Sequence, residues 1–459
     1  MISREIINKI LETAIDCGGD FAEVFVEDKY NTTIVKENDK VENGTVARDY
    51  GVGVRVMKGT NSVYTYSSND TEENLIKITK EVCSLLKKEG NNICKPVSEL
   101  EKSLLRAEKY FSQISYNQKI NLINQAIAAG KNYDTKVKRM WVRYLDQEQN
   151  VVIANSEGLY REDSRNKTRM LITAYAEKNG DTQSGYIGPG AAKGFEFYDE
   201  IDVDAYGREA ARSACAMAGA DYCKAGQMSV VVDNGFGGLM FHEACGHSLE
   251  ASCVAKGNSE FSGKLGEKVA SDVVTLIDDG SIPNTWGGLR IDDEGNDTRK
   301  NVLIENGVLK GYMIDRLSGR IMGMEANGSG RRESYRFAPT SRMSNTYIAP
   351  GNSTKEDIIA RTEQGLFVKS ISAGSVTPLT GDFNFAVAEA YEIVNGKIGK
   401  PVKGATLIGK GGEVLKKVDM VADNLRIDQG YCYAKSGALF IGAGQPTVRI
   451  SNMTVGGIK

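Results

Sequence analysis

Only two histidines occur in the 459 residues of this chain, and a glutamate directly follows the first of them. His242, Glu243 and His247 form the pattern His-Glu-x-x-x-His. Two imidazoles and a carboxylate at short spacing are what a catalytic zinc site takes from one helix, as two ligands and a general base. The sequence therefore predicts that His242 and His247 bind a metal ion and that Glu243 takes a proton from water.

The two histidines lie one residue further apart than in the common His-Glu-x-x-His pattern. At 3.6 residues per turn, side chains five positions apart point roughly 140° away from each other, so a regular helix cannot direct both rings at one ion. A π-helical turn restores a common face, and we expect Gly246 to lower the cost of that distortion. The alternative is a pair of ordinary hydrogen-bonded histidines in the protein core.

A catalytic zinc site also needs a third protein ligand, with the fourth position left open. Cys245 is the nearest thiol, but it shares a turn with His247 and is more simply explained as a packing residue. Cys432 stands beside a lysine in a glycine-rich segment and is a suitable soft ligand. Spacing alone does not distinguish Cys432 from the other cysteines.

The composition is that of an ordinary globular protein, with 41% apolar and 25% charged residues. The net charge of −3 and the scattered basic residues argue against direct binding of nucleic acid. No apolar run approaches the roughly 18 residues of a membrane-spanning helix, and no signal peptide is recognisable. Eight dispersed cysteines without a Cys-x-x-Cys pair indicate reduced thiols, and we expect a cytoplasmic protein without membrane contact.

The apolar periodicity predicts a mixed α+β protein of two domains. We expect residues 1–224 to form an N-terminal α/β domain with antiparallel sheets, including strands at 136–144 and 150–155 separated by a polar turn. Residues 225–459 are predicted to form a β-rich, barrel-like domain in which one helix, from Leu239 to about Val254, carries the histidines. The boundary between the two domains, after residue 224, is predicted from a change in composition. Asn306-Gly307 and Asn395-Gly396 are typical of hairpin turns.

Three other stretches have both a functional and a plain interpretation. Arg331-Arg332 suits a substrate carboxylate, because the guanidinium fork matches that group, but it equally suits ordinary ion pairs. Gly235–Gly238 is interpreted as a tight turn before the helix, since the residues of a phosphate-binding loop do not follow. The acidic run 292–297 lacks calcium-loop spacing and is interpreted as a solvated loop, one that borders a peptide cleft if it is flexible.

The stretch 233–250 closely resembles the His-Glu-x-x-x-His segment of the TldD/PmbA family. Members of this family were once called modulators of DNA gyrase and are regarded as zinc metalloproteases. The other similar blocks are residues 20–24, 51–56, 328–335, 342–346, 377–383, 388–391, 404–409 and 444–447, with Cys432 before the last. The resemblance therefore extends over essentially the whole chain.

The resemblance implies that His242, His247 and Cys432 are zinc ligands and that Glu243 is the catalytic base. Because the chain keeps all four residues, it resembles the catalytic, TldD-like subunit and not the PmbA/TldE-like one, which lacks them. It further implies a dimer, with itself or with such a paralogue, that cleaves short or flexible peptides paired with its strands. Cys245 departs from the family pattern, where an aliphatic residue is expected.

The alternative function is a non-catalytic peptide-binding or assembly subunit in which the metal is structural or absent. Glu243 argues against this alternative, because a structural zinc site closes with four protein ligands and needs no base between them.

Overall fold

The structure is a computed structural model that describes residues 2–86, 93–104, 107–377 and 380–458. Pro378 and Leu379, which belong to one of the family-like blocks, lie outside the described residues. The described chain forms a large sheet from its first half and a barrel with a second sheet from its second half. The predicted α+β class is confirmed. The division between residues 224 and 225 stays a prediction.

The first half builds a sheet with long antiparallel strands at its centre. The strands are β1 (Phe21–Glu37), β2 (Lys40–Lys58), β3 (Asn61–Ser67), β4 (Glu101–Leu104), β5 (Val137–Asn155), β6 (Tyr160–Lys178), β7 (Asp181–Ile187) and β8 (Gly190–Ala191). The helices are α1 (Arg4–Asp16), α2 (Glu72–Cys83), α3 (Tyr116–Lys131), α4 (Phe197–Glu200) and α5 (Val203–Met217). The strand order is β3-β2-β1-β5-β6-β4, and β7 and β8 also pair with β6.

One face of this sheet is covered by helices. The even-numbered apolar residues of β1, from Ala22 to Ile34, contact the cores under α1, α2, α3 and α5. The opposite face meets the second half of the chain, where Phe25 and Ile153 pack against Ile291 and Tyr335. The sheet is thus buried on both faces, which explains why its strands do not alternate cleanly between apolar and polar residues.

The polar turn predicted between residues 144 and 150 is wrong, because β5 runs through it without a break. Its polar side chains are buried and have partners inside the protein. Asp146 forms an ion pair of 2.6 Å with Lys119, and Gln149 donates to Glu27 at 2.7 Å. Buried polar groups are stable once they are paired, so polar composition did not mark a turn here.

The second half is rich in short strands. They are β9 (Asp221–Tyr222), β10 (Gly226–Val232), β11 (Leu276–Asp279), β12 (Lys300–Glu305), β13 (Val308–Leu309), β14 (Gly330–Arg331), β15 (Thr340–Ser341), β16 (Asn345–Ile348), β17 (Gln364–Thr377), β18 (Asp382–Val394), β19 (Lys397–Lys403), β20 (Thr406–Lys410), β21 (Val418–Val421), β22 (Arg426–Ala434), β23 (Gly437–Gln445) and β24 (Val448–Gly456). The helices are α6 (Leu239–Phe241), α7 (Ala251–Val254), α8 (Arg316–Met322), α9 (Lys355–Ala360) and α10 (Gly411–Lys417).

Five of these strands close a barrel in the order β17-β10-β24-β20-β18, because β17 and β18 also pair with each other. The barrel-like domain predicted from the sequence is therefore confirmed. A second sheet has the strand order β13-β12-β11-β16-β23-β22. In sequence, its strand β23 is followed directly by barrel strand β24. Both Asn-Gly hairpins are present, with positive φ at Asn306, Gly307, Asn395 and Gly396.

The first three residues of the acidic run 292–297 are not solvated as the sequence predicted, whereas the side chain of Asp297 at its end is 79% exposed. Asp292, Asp293 and Glu294 are at most 2% exposed. Two of them contact the first sheet: Glu294 accepts a 2.6 Å hydrogen bond from Arg55, and Asp293 accepts one of 2.6 Å from Arg165. These arginine partners lie far away in sequence. The sequence therefore did not indicate that the acids form a buried ionic contact between the two halves of the chain.

Across the described ranges, no helix is both long and apolar enough to cross a membrane.

Candidate metal centre

A tight turn connects barrel strand β10 to the segment with the histidines. Gly235 has φ 90°, a conformation that glycine adopts without strain. A Cβ atom on Gly238 would lie 2.5 Å from the backbone of Gly444 in β23. The Phe236 N–H donates to Asp428 of β22 at 2.8 Å. The turn predicted at Gly235–Gly238 is confirmed, and it fixes the start of the histidine segment against the β22–β23 hairpin.

The histidine segment contains the irregularity that its spacing predicted. Residues His242–Gly246 form a π-helical turn, and the His247 N–H donates to the carbonyl of His242, five residues earlier. The extra residue in this turn brings the two imidazoles to one side of the helix. Their ring centroids are 5.3 Å apart and their planes are inclined by 82°.

Gly246 has a different role from the one expected. Its φ of −56° and ψ of −52° are those of an ordinary right-handed helix, so backbone freedom is not what it supplies. A Cβ at this position would lie 2.1 Å from Sδ of Met343. The glycine therefore permits close packing of the π-turn against the residues that precede β16.

The prediction of a single helix from Leu239 to Val254 is wrong. The segment passes from α6 through the π-turn and a 3-10 turn at His247–Leu249, and it breaks at Glu250, where ψ is 123°. There the backbone pairs with residue Met313: Ala251 donates to its carbonyl at 2.8 Å. This contact ends the helix and fixes the position of Glu250.

Cys432 reaches the histidines from the other end of the domain. It lies on β22, paired with Leu439 of β23, and is 3% exposed. Its Sγ atom is 3.2 Å from Nε2 of His247. One donor atom each from His242, His247 and Cys432 lie within 4.8 Å of one another, the only such group of three or more among the described residues.

The ring of His242 distinguishes this arrangement from an ordinary pair of core histidines. The residue is 1% exposed, and neither ring nitrogen has a hydrogen-bond partner. Buried polar atoms are nearly always paired, so two orphaned nitrogens need an explanation, and a bound metal ion supplies one. Burial, followed by the charges of His247 and Arg342, holds the pKa of His242 well below its ordinary value, which favours the neutral ring that binds metals.

Behind His247 lies a carboxylate that the sequence analysis missed. Oε1 of Glu250 is 3.2 Å from Nδ1 of His247, on the opposite side of the ring from Cys432. Burial lowers the pKa of His247, but the Glu250 carboxylate and the Cys432 thiol outweigh it, so that the pKa is well above its ordinary value. A carboxylate on the outer nitrogen is the usual support of a metal-binding histidine. Its position three residues after His247 was the available signal.

Arg342 connects this support to the cysteine strand. Its Nε atom is 3.6 Å from Oε1 of Glu250, and its Nη2 donates to the carbonyl of Cys432 at 2.8 Å. One guanidinium therefore forms an ion pair with the carboxylate behind His247 and a hydrogen bond with the backbone of the strand that presents the thiol. No sequence signal indicated this role, because Arg342 is remote from both in the chain.

Glu243 lies beside the three donors and is not one of them. Its side chain is 20% exposed, and its Oε2 is 3.8 Å from Nε2 of His247. Burial raises the pKa of the Glu243 carboxyl above its ordinary value, although the charge of His247 opposes the rise. A partly exposed carboxylate beside the donor atoms is placed to accept a proton and to return it.

Cys245, the other candidate thiol, belongs to the barrel core. It is 1% exposed and packs with the apolar residues of the barrel, and it does not join the group of donors. Burial raises the pKa of its thiol well above the ordinary value. The structure thus supports the packing interpretation of Cys245.

The two arginines of the Arg331-Arg332 pair have different surroundings. Arg332 forms an ion pair with Glu23 of the first sheet. Arg331 forms no ion pair within the described part of the chain; its guanidinium donates to the carbonyls of Met343 and Phe440, the latter at 2.9 Å. The ordinary ion-pair interpretation fits Arg332 alone.

Comparisons with known proteins agree along the whole chain. The family models described as PmbA/TldA metallopeptidase domain 1, central domain and C-terminal domain match residues 22–86, 109–218 and 225–457. A metalloprotease TldD homolog of Haemophilus influenzae is 36% identical, and one of Buchnera aphidicola is 34% identical. Each alignment spans 448 residues, 95% of this chain and 93% of the relative.

Two solved structures share the fold. A candidate modulator of a DNA gyrase from Thermotoga maritima superposes with a TM-score of 0.81 at 20% identity. TldE from Thermococcus kodakarensis superposes with a TM-score of 0.78 at 19% identity. Each covers 98% of this chain and 99% of its own.

Proposed function

The chain belongs to the PmbA/TldA metallopeptidase family, and from this premise we propose that it is a zinc-dependent peptidase acting on short or flexible peptides. The observation that carries the proposal is the convergence of His242, His247 and Cys432 around the unpartnered nitrogens of His242. Glu243 stands at the partly exposed side of this cluster, where a substrate has access.

The donor set fits zinc. Two imidazoles and one thiolate are ligands that zinc prefers, and three protein ligands leave a position for substrate or water, as catalytic sites require. When bound, zinc supplies Lewis-acid chemistry, which polarises a carbonyl group and makes water acidic near neutral pH. We assign the ligand roles to His242, His247 and Cys432, with Glu250 and Arg342 as positioning residues.

Glu243 is proposed to handle the proton. Its carboxylate accepts a proton from the attacking water and returns it to the leaving amine of the cleaved peptide bond. Burial raises the pKa of this carboxyl above its ordinary value, which makes its protonated form easier to reach. Glu250 holds the ring of His247 by its outer nitrogen, and it does not contact the reacting atoms.

Substitution of Glu243 by glutamine tests this assignment. We expect Glu243→Gln to keep its zinc content while hydrolysis of an unstructured peptide falls by about 10²- to 10⁴-fold, since only the proton acceptor is removed. Glu260→Gln is the matched control, because Glu260 is also a half-buried glutamate, its charge raises the pKa of the buried Cys245 thiol, and it does not belong to the group of donors. Unchanged hydrolysis by Glu243→Gln would remove Glu243 from the mechanism.

The second candidate function is a peptide-binding or assembly subunit without catalysis. The likeness to a TldE structure motivates it, and it also suggests a dimer with the same chain or with a TldE-like paralogue. Light scattering of the purified chain, alone and with the paralogue, measures the assembly. Zinc-loaded protein that cleaves no flexible peptide, alone or with the paralogue, would favour this second function. A cytoplasmic location stays a prediction.

A further inference from the structure

A polar cavity of about 300 Å³ lies between the first sheet and the β22–β23 hairpin. β1, β5 and β6 supply one wall of this cavity, and Arg331, Tyr431 and Phe440 belong to the other. The same hairpin carries Cys432 on β22, directly opposite Leu439, which also lines the cavity. The cavity is therefore adjacent to the strand that completes the candidate metal centre.

Positive charge exceeds negative charge in the lining. Six lining side chains are cationic and three are acidic. Two of the acids are already paired with cations: Asp146 with Lys119 at 2.6 Å and Asp293 with Arg165 at 2.6 Å. The third, Glu333, is exposed and accepts a hydrogen bond of 2.7 Å from the Ala438 N–H. Three of the cations also pair with acids outside the lining, Lys29 with Glu27, Arg165 with Asp163 and Arg332 with Glu23. The lining cations that form no ion pair among the described residues are therefore the exposed Arg143 and the buried Lys167 and Arg331.

Two buried cations carry this excess. Lys167 is 2% exposed and Arg331 is 3% exposed, and neither forms an ion pair with any residue that the structure describes. Lys167 donates to the carbonyl of Trp286 at 2.6 Å, and its Nζ lies 5.1 Å from the ring centre of Phe440. Basic groups buried without an ion pair are costly to charge, because burial removes their hydration, and burial accordingly holds the pKa of Lys167 well below its ordinary value.

Arg331 also has an unused donor. Its Nε is buried and has no hydrogen-bond partner, while its two terminal nitrogens are held by the carbonyls of Met343 and Phe440. Burial lowers the pKa of Arg331 to about 10; the charge of Asp293 opposes this fall, and the charge of Arg342 adds to it. An anion in the cavity would compensate the positive charge of both groups.

We propose that this cavity binds a carboxylate group of the peptide ligand, with Arg331 and Lys167 as its recognition residues. The inference rests on the proposed peptidase function and specifies its substrates as peptides with a free carboxylate. Arginine pairs with carboxylates through charge-assisted hydrogen bonds, and a volume of about 300 Å³ is at the lower end of small-molecule pockets.

The position of Arg331 connects the cavity with the metal centre. Met343, whose carbonyl accepts from Arg331, packs its sulfur against Gly246 in the π-turn. Phe440, whose carbonyl also accepts from Arg331, adjoins Leu439, the partner of Cys432. The backbone segments that hold the Arg331 guanidinium therefore also pack against the segments that carry the candidate metal ligands.

Binding measured without turnover tests the proposal independently of catalysis. In the zinc-loaded Glu243→Gln chain, the Kd of a fluorescent, unstructured pentapeptide with a free C-terminus is compared with that of its C-terminal amide. We expect the free acid to bind about tenfold more tightly or better, as one charge-assisted contact contributes. A third peptide, an amide with one glutamate side chain, distinguishes a side-chain carboxylate from the C-terminal one.

Substitutions in the cavity complete the test. Lys167→Met and Arg331→Met are expected to reduce the preference for the free acid to less than threefold, with little change in the affinity for the amide. Lys77→Met, an exposed lysine on α2, is the charge-matched control and keeps the preference. If Arg331→Met does not fold, Lys167→Met decides alone. Equal affinities of acid and amide peptides for the parent chain would overturn the proposal, whether or not the protein hydrolyses peptides.

Discussion

Sγ of Cys432 lies 3.2 Å from Nε2 of His247, although 185 positions separate the two residues in the chain. The turn after β10 fixes the histidine segment against β22 and β23, and Arg342 holds the carbonyl of Cys432. The candidate metal centre thus forms only when the start and the end of the C-terminal half come together. Metal binding and folding of this half are therefore expected to be coupled.

Removal of the thiol should release the metal. Cys432→Ala leaves two imidazoles, and we expect zinc affinity to fall by more than about 100-fold, a larger loss than a supporting residue causes. Zinc per chain after dialysis against a competing chelator measures this. Cys245→Ala is the matched control, since it deletes a buried thiol of the histidine segment that packs in the barrel core. Zinc loss in the control but not in Cys432→Ala would reverse our choice of ligand.

Glu250 should affect metal affinity without being a ligand. Glu250→Gln keeps the size of the side chain but removes the charge 3.2 Å from Nδ1 of His247. We expect zinc affinity to fall by about 10- to 100-fold, the usual cost of losing such a support. Glu260→Gln, outside this contact, should keep the affinity of the parent chain. A competition titration with a zinc indicator compares them, and equal affinities would show that Glu250 does not support His247.

Gly246 should be required for packing and not for flexibility. In Gly246→Ala the new methyl group meets Sδ of Met343, and we expect the free energy of unfolding to fall by about 1–3 kcal/mol. In Met343→Ala the same methyl has room, so the cost of Gly246→Ala should be smaller in that background. Denaturant unfolding of the four proteins gives the coupling energy. If the losses of stability from the two substitutions are additive, the cost of Gly246→Ala arises from the backbone and not from the contact with Met343.

Acid should weaken the contact between the two halves at Asp293. Burial raises the pKa of Asp293, but Arg165 and Arg332 outweigh it, and the pKa lies below its ordinary value. A lowered folded-state pKa gives stability that is present above about pH 4, the unfolded value, and is lost as the pH falls through the folded value.

Asp293→Asn should therefore reduce the free energy of unfolding by about 3 kcal/mol at pH 7, because Arg165 and Arg332 lose a buried counter-charge. Its stability should also fall less steeply than that of the parent between pH 5 and pH 3, a range chosen around the unfolded pKa of about 3.9. Asp297→Asn, with a side chain 79% exposed, is the control in the same loop. Parallel pH profiles for Asp293→Asn and the parent chain would contradict the assignment.

Local patterns in the sequence identified much of this protein. The His-Glu-x-x-x-His spacing was enough to predict a π-turn, because helix geometry alone determines where residues five apart point. The Asn-Gly pairs predicted their hairpins for the same reason, since the required φ values are a property of two residues. The family resemblance likewise rests on short motifs and extends to the matched domains.

Features that depend on distant partners were decided by the tertiary structure. Composition could not show that Asp293 and Glu294 are buried, because their arginine partners lie on other strands. Nor could it show that β5 is continuous, that Gly246 faces Met343, or that Lys167 and Arg331 share a cavity. The sequence by itself determined which residues are chemically able to bind a metal. Only the fold decided which thiol meets them, because a distance of 3.2 Å across 185 residues depends on the packing of every element between.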